Sequence, residues 1–224
     1  MNINDLLPGH IKNPASTQRD WSPQQLAIFN APTEQMLLIE AVAGSGKSTT
    51  IVEKMNRLGG QSLFLAFNKS IADELRSKVR GGAVLTLNSL GHRILMAKRP
   101  GAKLNQWKTH NWLKSHMSGE LYEVLGKHIA RVVSVAKGSA FGVLDQPSRA
   151  DWQKLADSYC QELLPDQISA VVQLAPRAFL EVLADENEFD FDDQLYVPIA
   201  QLWTFPRNDF VFVDESQDLN PIQH

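Results

Sequence analysis

The sequence predicts an α/β fold, a parallel β-sheet flanked by helices with a helical insertion between two of its strands. Three observations point to it. Short apolar runs at Met36–Glu40, Gln61–Phe67, Ala83–Leu87 and Phe210–Val213 read as strands. Helix-forming segments separate the first three, and strand–helix alternation at this interval gives parallel pairing. From Leu95 to Asn187 the β-branched runs thin out and apolar residues recur at helical spacing, as in Leu121, Val124, Leu125, Ile129, Val132 and Val133.

Composition sets the class. A chain of 224 residues that is 43% hydrophobic and 21% charged can bury a proper core in one large or two small domains. The net charge of −3 supplies no global field for nucleic acid, so any basic surface must be local. The one cysteine, Cys160, excludes an intrachain disulfide and reads as a small buried side chain. Met1–Asp20 contains no continuous apolar segment, and no run is long enough to span a bilayer. An intracellular protein without a signal peptide or membrane partner is expected.

Taken in order, residues 1–20 are polar and broken by Pro8, Gly9 and Pro14, and read as a flexible lead-in. Ser22 and Pro23 are a helix cap and a first helical residue. Gln25 follows; its amide donates and accepts, which matches the edge of adenine, although a surface glutamine is the default reading. The apolar run Met36–Glu40 leads into Ala41-Val42-Ala43-Gly44-Ser45-Gly46-Lys47-Ser48, and Thr49–Met55 then reads as a helix. Strand, glycine-containing loop, Gly-Lys-Ser and helix are the parts of a phosphate-binding loop. Gly44 and Gly46 let backbone N–H groups approach phosphate oxygens, and the helix N-terminus favours the same anion. Lys47 is placed for the β- and γ-phosphates, and Ser48 for Mg²⁺.

The second and third strands are each followed by small polar and amide residues: Asn68 and Lys69, then Thr86, Asn88 and Ser89. Such groups at strand ends suit phosphate and sugar contacts along a nucleic-acid strand, and helix capping is the alternative reading. Within the insertion, Trp107, Trp112 and Trp152 read as core anchors. His110 and His116 lack partners at metal-ligand spacing. The acidic segment Phe189–Leu195 reads as a solvated turn leading back to the sheet. Phe210–Val213, wholly apolar, reads as a central strand covered on both faces. Asp214 and Glu215 follow at its carboxyl end, where open α/β sheets bind ligands; one can hold the Mg²⁺ shell while the other polarises an attacking water.

These residues carry a resemblance to the amino-terminal part of superfamily 1 DNA helicases of the UvrD/Rep type. Pro23–Ile28 resembles the family's glutamine motif, with Gln25 at the adenine-reading position; the family's phosphate loop commonly starts with alanine, as at Ala41 here. Ala66-Phe67-Asn68-Lys69 is similar to motif Ia, and Thr86–Gly91 to the Thr-x-His-Ser-x-Gly element, with Asn88 where histidine is usual. Asp214–Asp218 matches motif II, and Phe189–Leu195 resembles the segment that leads back from the helical 1B subdomain.

The resemblance implies a P-loop NTPase (RecA-like) lobe, 1A, over 21–95 and 188–224, with a 1B-like insertion over 96–187. It implies ATP and Mg²⁺ as cofactors, single-stranded DNA as partner and 3′–5′ translocation. It also implies a bacterial- or phage-type cytoplasmic setting. By the same resemblance Lys47, Glu215 and Gln217 are catalytic, with Gln217 coupling the γ-phosphate to the rest of the machine. Residues Ala41 to Thr49 with Gln25 bind the nucleotide, Ser48 and Asp214 hold the metal, and Phe67, Asn68, Lys69, Thr86, Asn88 and Ser89 face nucleic acid. Family chains continue into a second RecA-like lobe with motifs III to VI, whereas this sequence ends at His224. A fragment of low activity alone is therefore expected. The rival readings are a nucleotide- or DNA-binding module without turnover, and a P-loop ATPase unrelated to nucleic acid.

Overall fold

The computed structural model describes residues 20–42 and 44–224. The lead-in, apart from Asp20, and Ala43 of the loop lie outside the described residues. Five strands occur among those described: β1 (Ser62–Ala66), β2 (Gly82–Thr86), β3 (Lys103–Leu104), β4 (Glu188–Phe189) and β5 (Phe210–Val213). By compactness the chain divides into a sheet unit, reaching Leu87 and resuming over Pro206–Gln217, and a helical unit of Asn88–Phe205 with Asp218–His224. The expected bounds lay near residues 95 and 188, and the compact units divide at 87 and 206, with residues 88–98, β4 and the helix Asp193–Ala200 packed in the helical unit.

In the sheet unit, β2, β1 and β5 pair in that order, all parallel. β1 lies in the middle and is buried along its whole length. Helix α1 (Pro23–Asn30) starts where its sequence directs: Ser22 accepts from the Gln25 N–H, and the Gln25 side chain accepts from the Ser22 N–H. Helices α2 (Lys47–Arg57) and α3 (Lys69–Arg76) supply Ile51, Val52, Met55, Ala72 and Leu75 to a core shared with Phe64, Ala66 and Val84 of the strands. Lys54 of α2 turns inward, and its ammonium donates to the Phe29 and Ala31 carbonyls at 2.9 and 2.8 Å. That satisfies acceptors left over at the end of α1.

Two strand expectations need correction. Met36–Glu40 forms no ladder; Met36 is 99% exposed, and only Ile39 of this run packs on the core. β5 is an edge strand, paired with β1 alone among the described residues, and Val211 on it is 53% exposed. Apolar composition states that a segment favours burial. Whether it forms a ladder depends on a backbone in register beside it, and among the described residues none pairs with Met36–Glu40.

In the helical unit, α4 (Leu87–Lys98), counted from Asn88, is followed by α5 (Lys108–His116), α6 (Gly119–Gly138), α7 (Arg149–Tyr159), α8 (Pro165–Ala184) and α9 (Asp193–Ala200). β3 and β4 form a two-residue parallel pair at the two ends of the insertion. They are too short to leave a period in the sequence. The core comes from one face each of α6 and α8, with Leu125, Ile129, Val132, Val133, Val171, Ala175, Ala178 and Val182 buried. A chain of edge-to-face rings, Phe141, Trp152, Phe179 and Tyr196, ties α7, α8 and α9 together. Cys160 is fully buried, and burial pushes its thiol pKa up. No helix among the described residues is long and apolar enough to cross a membrane.

Two side-chain expectations also change here. Trp152 is buried, but Trp107 is 58% exposed and anchors no core. The acidic segment is not a solvated turn. Asp193 is fully buried between Lys108 and Lys137, at 2.9 and 2.7 Å, and Lys137 also holds Asp190 at 2.6 Å. Single carboxylates in a row give no sign of the lysines that meet them, which lie 53 and 85 residues away in sequence.

Candidate functional site

The three parallel strands of the sheet unit end at one edge, because their registers align Ala66 with Thr86 and Leu65 with Val213. The residue after β5 is therefore Asp214. Its N–H continues the ladder to the Leu65 carbonyl at 3.1 Å, and the residue is 4% exposed. Facing it is the start of α2. The Ser48 hydroxyl donates to Asp214 Oδ2 at 2.9 Å, joining groups 166 residues apart. This contact brings the loop and the acidic strand end into one site.

The loop is shaped by its glycines. Gly46 caps α2 at φ 86° and Gly44 sits at φ 76°, both in the left-handed region that a side chain rarely adopts. A Cβ on Gly44 would meet nothing within 4 Å, so the backbone there faces open space rather than packed side chains. Ala41 and Val42 are exposed, as are Gly44 and Ser45; Lys47, Ser48 and Thr49 are half-buried as α2 begins. The Lys47 ammonium donates to the Ala41 carbonyl at 3.2 Å and lies 3.9 Å from Glu215 Oε1.

Glu215 is itself unusual, a non-glycine residue at φ 52°. Holding such a conformation costs about 1–3 kcal/mol, and the surroundings must impose it. Here its N–H donates to Asp214 Oδ1 at 3.1 Å, and the Gln217 amide donates to its carboxylate at 2.7 Å. Lys47, Asp214, Glu215 and Gln217 all line a cavity of ≈ 290 Å³ whose other wall is Met36–Ile39. Lys47 is the one cation among the residues lining it.

Gln25 reaches this loop from α1. Its amide nitrogen donates to the Thr50 hydroxyl at 2.9 Å, and Thr50 donates in turn to the Gly46 carbonyl at 3.0 Å. Thr50 is the residue the sequence reading missed: Thr49 was expected to serve the site, yet Thr50 is the buried one that links Gln25 to the loop. Its signal was available, since it lies four residues after Gly46, one helical turn along the same face.

The residues expected to face nucleic acid divide. Phe67, Asn68 and Lys69 follow β1, and Thr86 ends β2, so these four share the carboxyl edge of the sheet. Phe67 is 52% exposed and Lys69 is exposed. Asn68 caps α3, its side chain accepting from the Ile71 N–H at 2.9 Å. Asn88 and Ser89 begin α4 in the helical unit, where the Asn88 amide donates to the Phe191 carbonyl at 3.1 Å. Capping and packing thus already engage the Asn68 and Asn88 side chains.

The donor set suits Mg²⁺. The Ser48 hydroxyl and the Asp214 carboxylate are hard oxygen ligands, and this cation keeps several waters and takes phosphate oxygens rather than an all-protein cage. No group of three or more His, Cys, Asp or Glu among the described residues could hold a metal unaided.

Comparison with known proteins agrees with this geometry. No curated protein and no solved structure matches the chain. A family model does, described as the UvrD/REP helicase N-terminal domain, over residues 21–224. With the phosphate loop, the acidic strand end and nearly the whole length accounted for, the chain belongs to the UvrD/REP helicase N-terminal domain family and carries the ATP-binding lobe of an ATP-dependent helicase.

Proposed function

We propose that this chain binds ATP with Mg²⁺ on the loop from Ala41 to Thr49 and hydrolyses it in step with movement along single-stranded DNA. The sheet unit serves as the 1A lobe and the helical unit as the 1B-like insertion, with 3′–5′ direction as the family resemblance implies. The observation that carries the reading is the 2.9 Å bond from Ser48 to Asp214, which sets loop and acidic pair face to face.

Each role follows from the chemistry of the residue. Gly44 and Gly46 allow close approach of the phosphates, and Lys47 supplies the charge opposite the β- and γ-oxygens. Ser48 and Asp214 would hold Mg²⁺, which would supply positive charge against the phosphates. Glu215 takes the proton of a water attacking the γ-phosphorus, giving ADP and phosphate. Gln217, bonded to Glu215 at 2.7 Å, orients that carboxylate and couples the γ-phosphate to the rest of the machine. Gln25 recognises adenine while its amide steadies Thr50. Phe67, Asn68, Lys69 and Thr86 offer the strand-end contacts to DNA, with Asn88 and Ser89 at the start of α4.

ATP turnover by the purified chain, with and without oligo-dT, tests this. Lys47→Ala is expected to remove ATP-analogue binding, and Glu215→Gln to keep binding while lowering turnover by about 10²–10⁴-fold. Turnover unaffected by Glu215→Gln would refute the catalytic assignment. Turnover indifferent to oligo-dT would favour an ATPase without a nucleic-acid role. Binding with no turnover at all would favour a nucleotide-holding module.

A further inference from the structure

The chain is mildly acidic, but its charge is not evenly spread. Residues 75–119 hold nine of its 22 lysines and arginines and no aspartate or glutamate. The part of this stretch within the helical unit ends in α5, whose outward face carries Trp107 at the cap, then His110 and Lys114. Positions spaced by three, four and seven fall on one side of a helix.

Trp107 is 58% exposed, although a tryptophan ordinarily buries most of its surface. It is nevertheless held in place. Its N–H donates to Asn105 Oδ1 at 3.0 Å, and its ring meets His110 edge-on with centroids 5.8 Å apart. His110 Nδ1 lies 2.9 Å from the Tyr122 hydroxyl of α6, and the Lys114 ammonium sits 5.3 Å from the Tyr122 ring centre. Lys103, exposed on β3, precedes Trp107 by four residues across a short turn. Neither Lys103 nor Lys114 forms an ion pair among the described residues. The nearest acid in the ladder, Glu188 opposite Lys103, is engaged by the Asn105 amide at 2.6 Å. Glu120 and Glu123, exposed at the start of α6, bound the surface on the far side.

We infer that this face, Lys103, Trp107, His110, Lys114 and Tyr122, is a contact surface for single-stranded nucleic acid, on which an unpaired base stacks on Trp107 and flanking phosphates meet Lys103 and Lys114. A fixed exposed ring between unpaired cations is the pairing that binds single strands with little sequence preference. Four of the nine cations in the acid-free stretch, Arg76, Lys78, Arg99 and Lys108, pair with carboxylates outside it, and on this face Lys103 and Lys114 supply the complementary charge. Duplex DNA offers phosphates to such a face but no free base plane. The surface lies wholly within the helical unit and does not depend on the phosphate loop or on the strand-end residues, so it extends the functional reading rather than resting on it.

The test uses the full chain, a fluorescein-labelled oligo-dT and anisotropy titrations over a range of NaCl. Trp107→Ala is expected to weaken binding about ten-fold at every salt concentration without changing the salt slope. Trp107→Phe should recover most of that affinity but lose the quenching of intrinsic fluorescence that base stacking on Trp107 is expected to cause. Lys103→Gln with Lys114→Gln should flatten the slope of log K against log salt by about 1.4, two phosphates at roughly 0.7 each. Equal affinity for oligo-U supports the surface, since stacking and phosphate contacts are common to both strands. Wild-type affinity in a Trp107→Ala variant of native circular dichroism overturns it, as does a duplex competing as well as oligo-dT. Lys69→Ala separates the two readings: if it abolishes binding while Trp107→Ala is silent, the strand-end groove stands and this surface falls.

Discussion

Asp193 shows how much a single side chain in this protein depends on partners far off in sequence. It is fully buried and ion-paired with Lys108 and Lys137; its carboxylate accepts from the Asp190 N–H at 3.1 Å, and its own N–H donates to Asp190 Oδ1 at 2.8 Å. Burial alone would raise its pKa, but the two ammonium groups more than offset that and hold it below the usual carboxylate value. Burial would likewise lower the Lys137 pKa, and the charges of Asp193 and Asp190 reverse the sign to a net rise. Asp193→Asn leaves buried ammonium charge undercompensated, and is expected to cost about 3–5 kcal/mol in urea unfolding. The exposed pair Arg57 and Glu53 is the control, since Glu53→Gln should change stability by under about 1 kcal/mol. A loss for Asp193→Asn no larger than the control's would show that the buried cluster adds nothing.

At the scale of elements, α4 explains why one family-like residue is a glycine. A Cβ on Gly91 would lie 2.1 Å from the Gln194 carbonyl oxygen and 3.2 Å from Leu195 Cδ2, so α4 and α9 approach backbone to backbone at this glycine. The Thr86–Gly91 segment is thus partly a packing device, since Asn88 of α4 also donates to the Phe191 carbonyl, just before α9. Gly91→Ala should force the two helices apart and lower stability by about 1–3 kcal/mol, read as a fall in the thermal midpoint. Because the contact of α4 with α9 lies within the helical unit and Lys47 belongs to the sheet unit, ATP-analogue affinity should stay within about two-fold under conditions where the variant is folded. An unchanged midpoint would mean that α4 shifts freely and that its fit against α9 is loose.

For the molecule as a whole, the two units carry different electrostatics, and pH should separate them. Asp193 has a depressed folded pKa, so its stabilisation is complete above its unfolded value, about 3.9, and is lost as pH falls through the folded one. Lys137 has a raised folded pKa, so its share is complete below about 10.4 and is lost as pH rises through the folded value. Both lie in the helical unit, which also holds Trp107, Trp112, Trp152 and Trp203, whereas Trp21 is in the sheet unit. Intrinsic fluorescence therefore reports mainly on the helical unit. Its unfolding midpoint in urea should be flat between about pH 5 and 9 and fall below about pH 4. Asp193→Asn should abolish most of that acid dependence; a wild-type slope in the variant would assign it to other carboxylates.

Much of the site was legible in sequence because its grammar is local. Gly44, Gly46, Lys47 and Ser48 work through backbone conformation and a helix start that neighbouring residues specify, and Asp214 and Glu215 follow an apolar strand directly. The capping of α1 by Ser22 and Gln25 is local for the same reason. Tertiary structure decided what depends on meeting. Whether Met36–Glu40 became a strand turned on a neighbouring backbone in register, and none among the described residues pairs with it. Whether Phe189–Leu195 was solvated turned on Lys108 and Lys137, which arrive from α5 and α6. Trp107 and Trp152 are one residue type on two helices, yet one faces solvent and the other the core, because burial belongs to the packed face and not to the side chain.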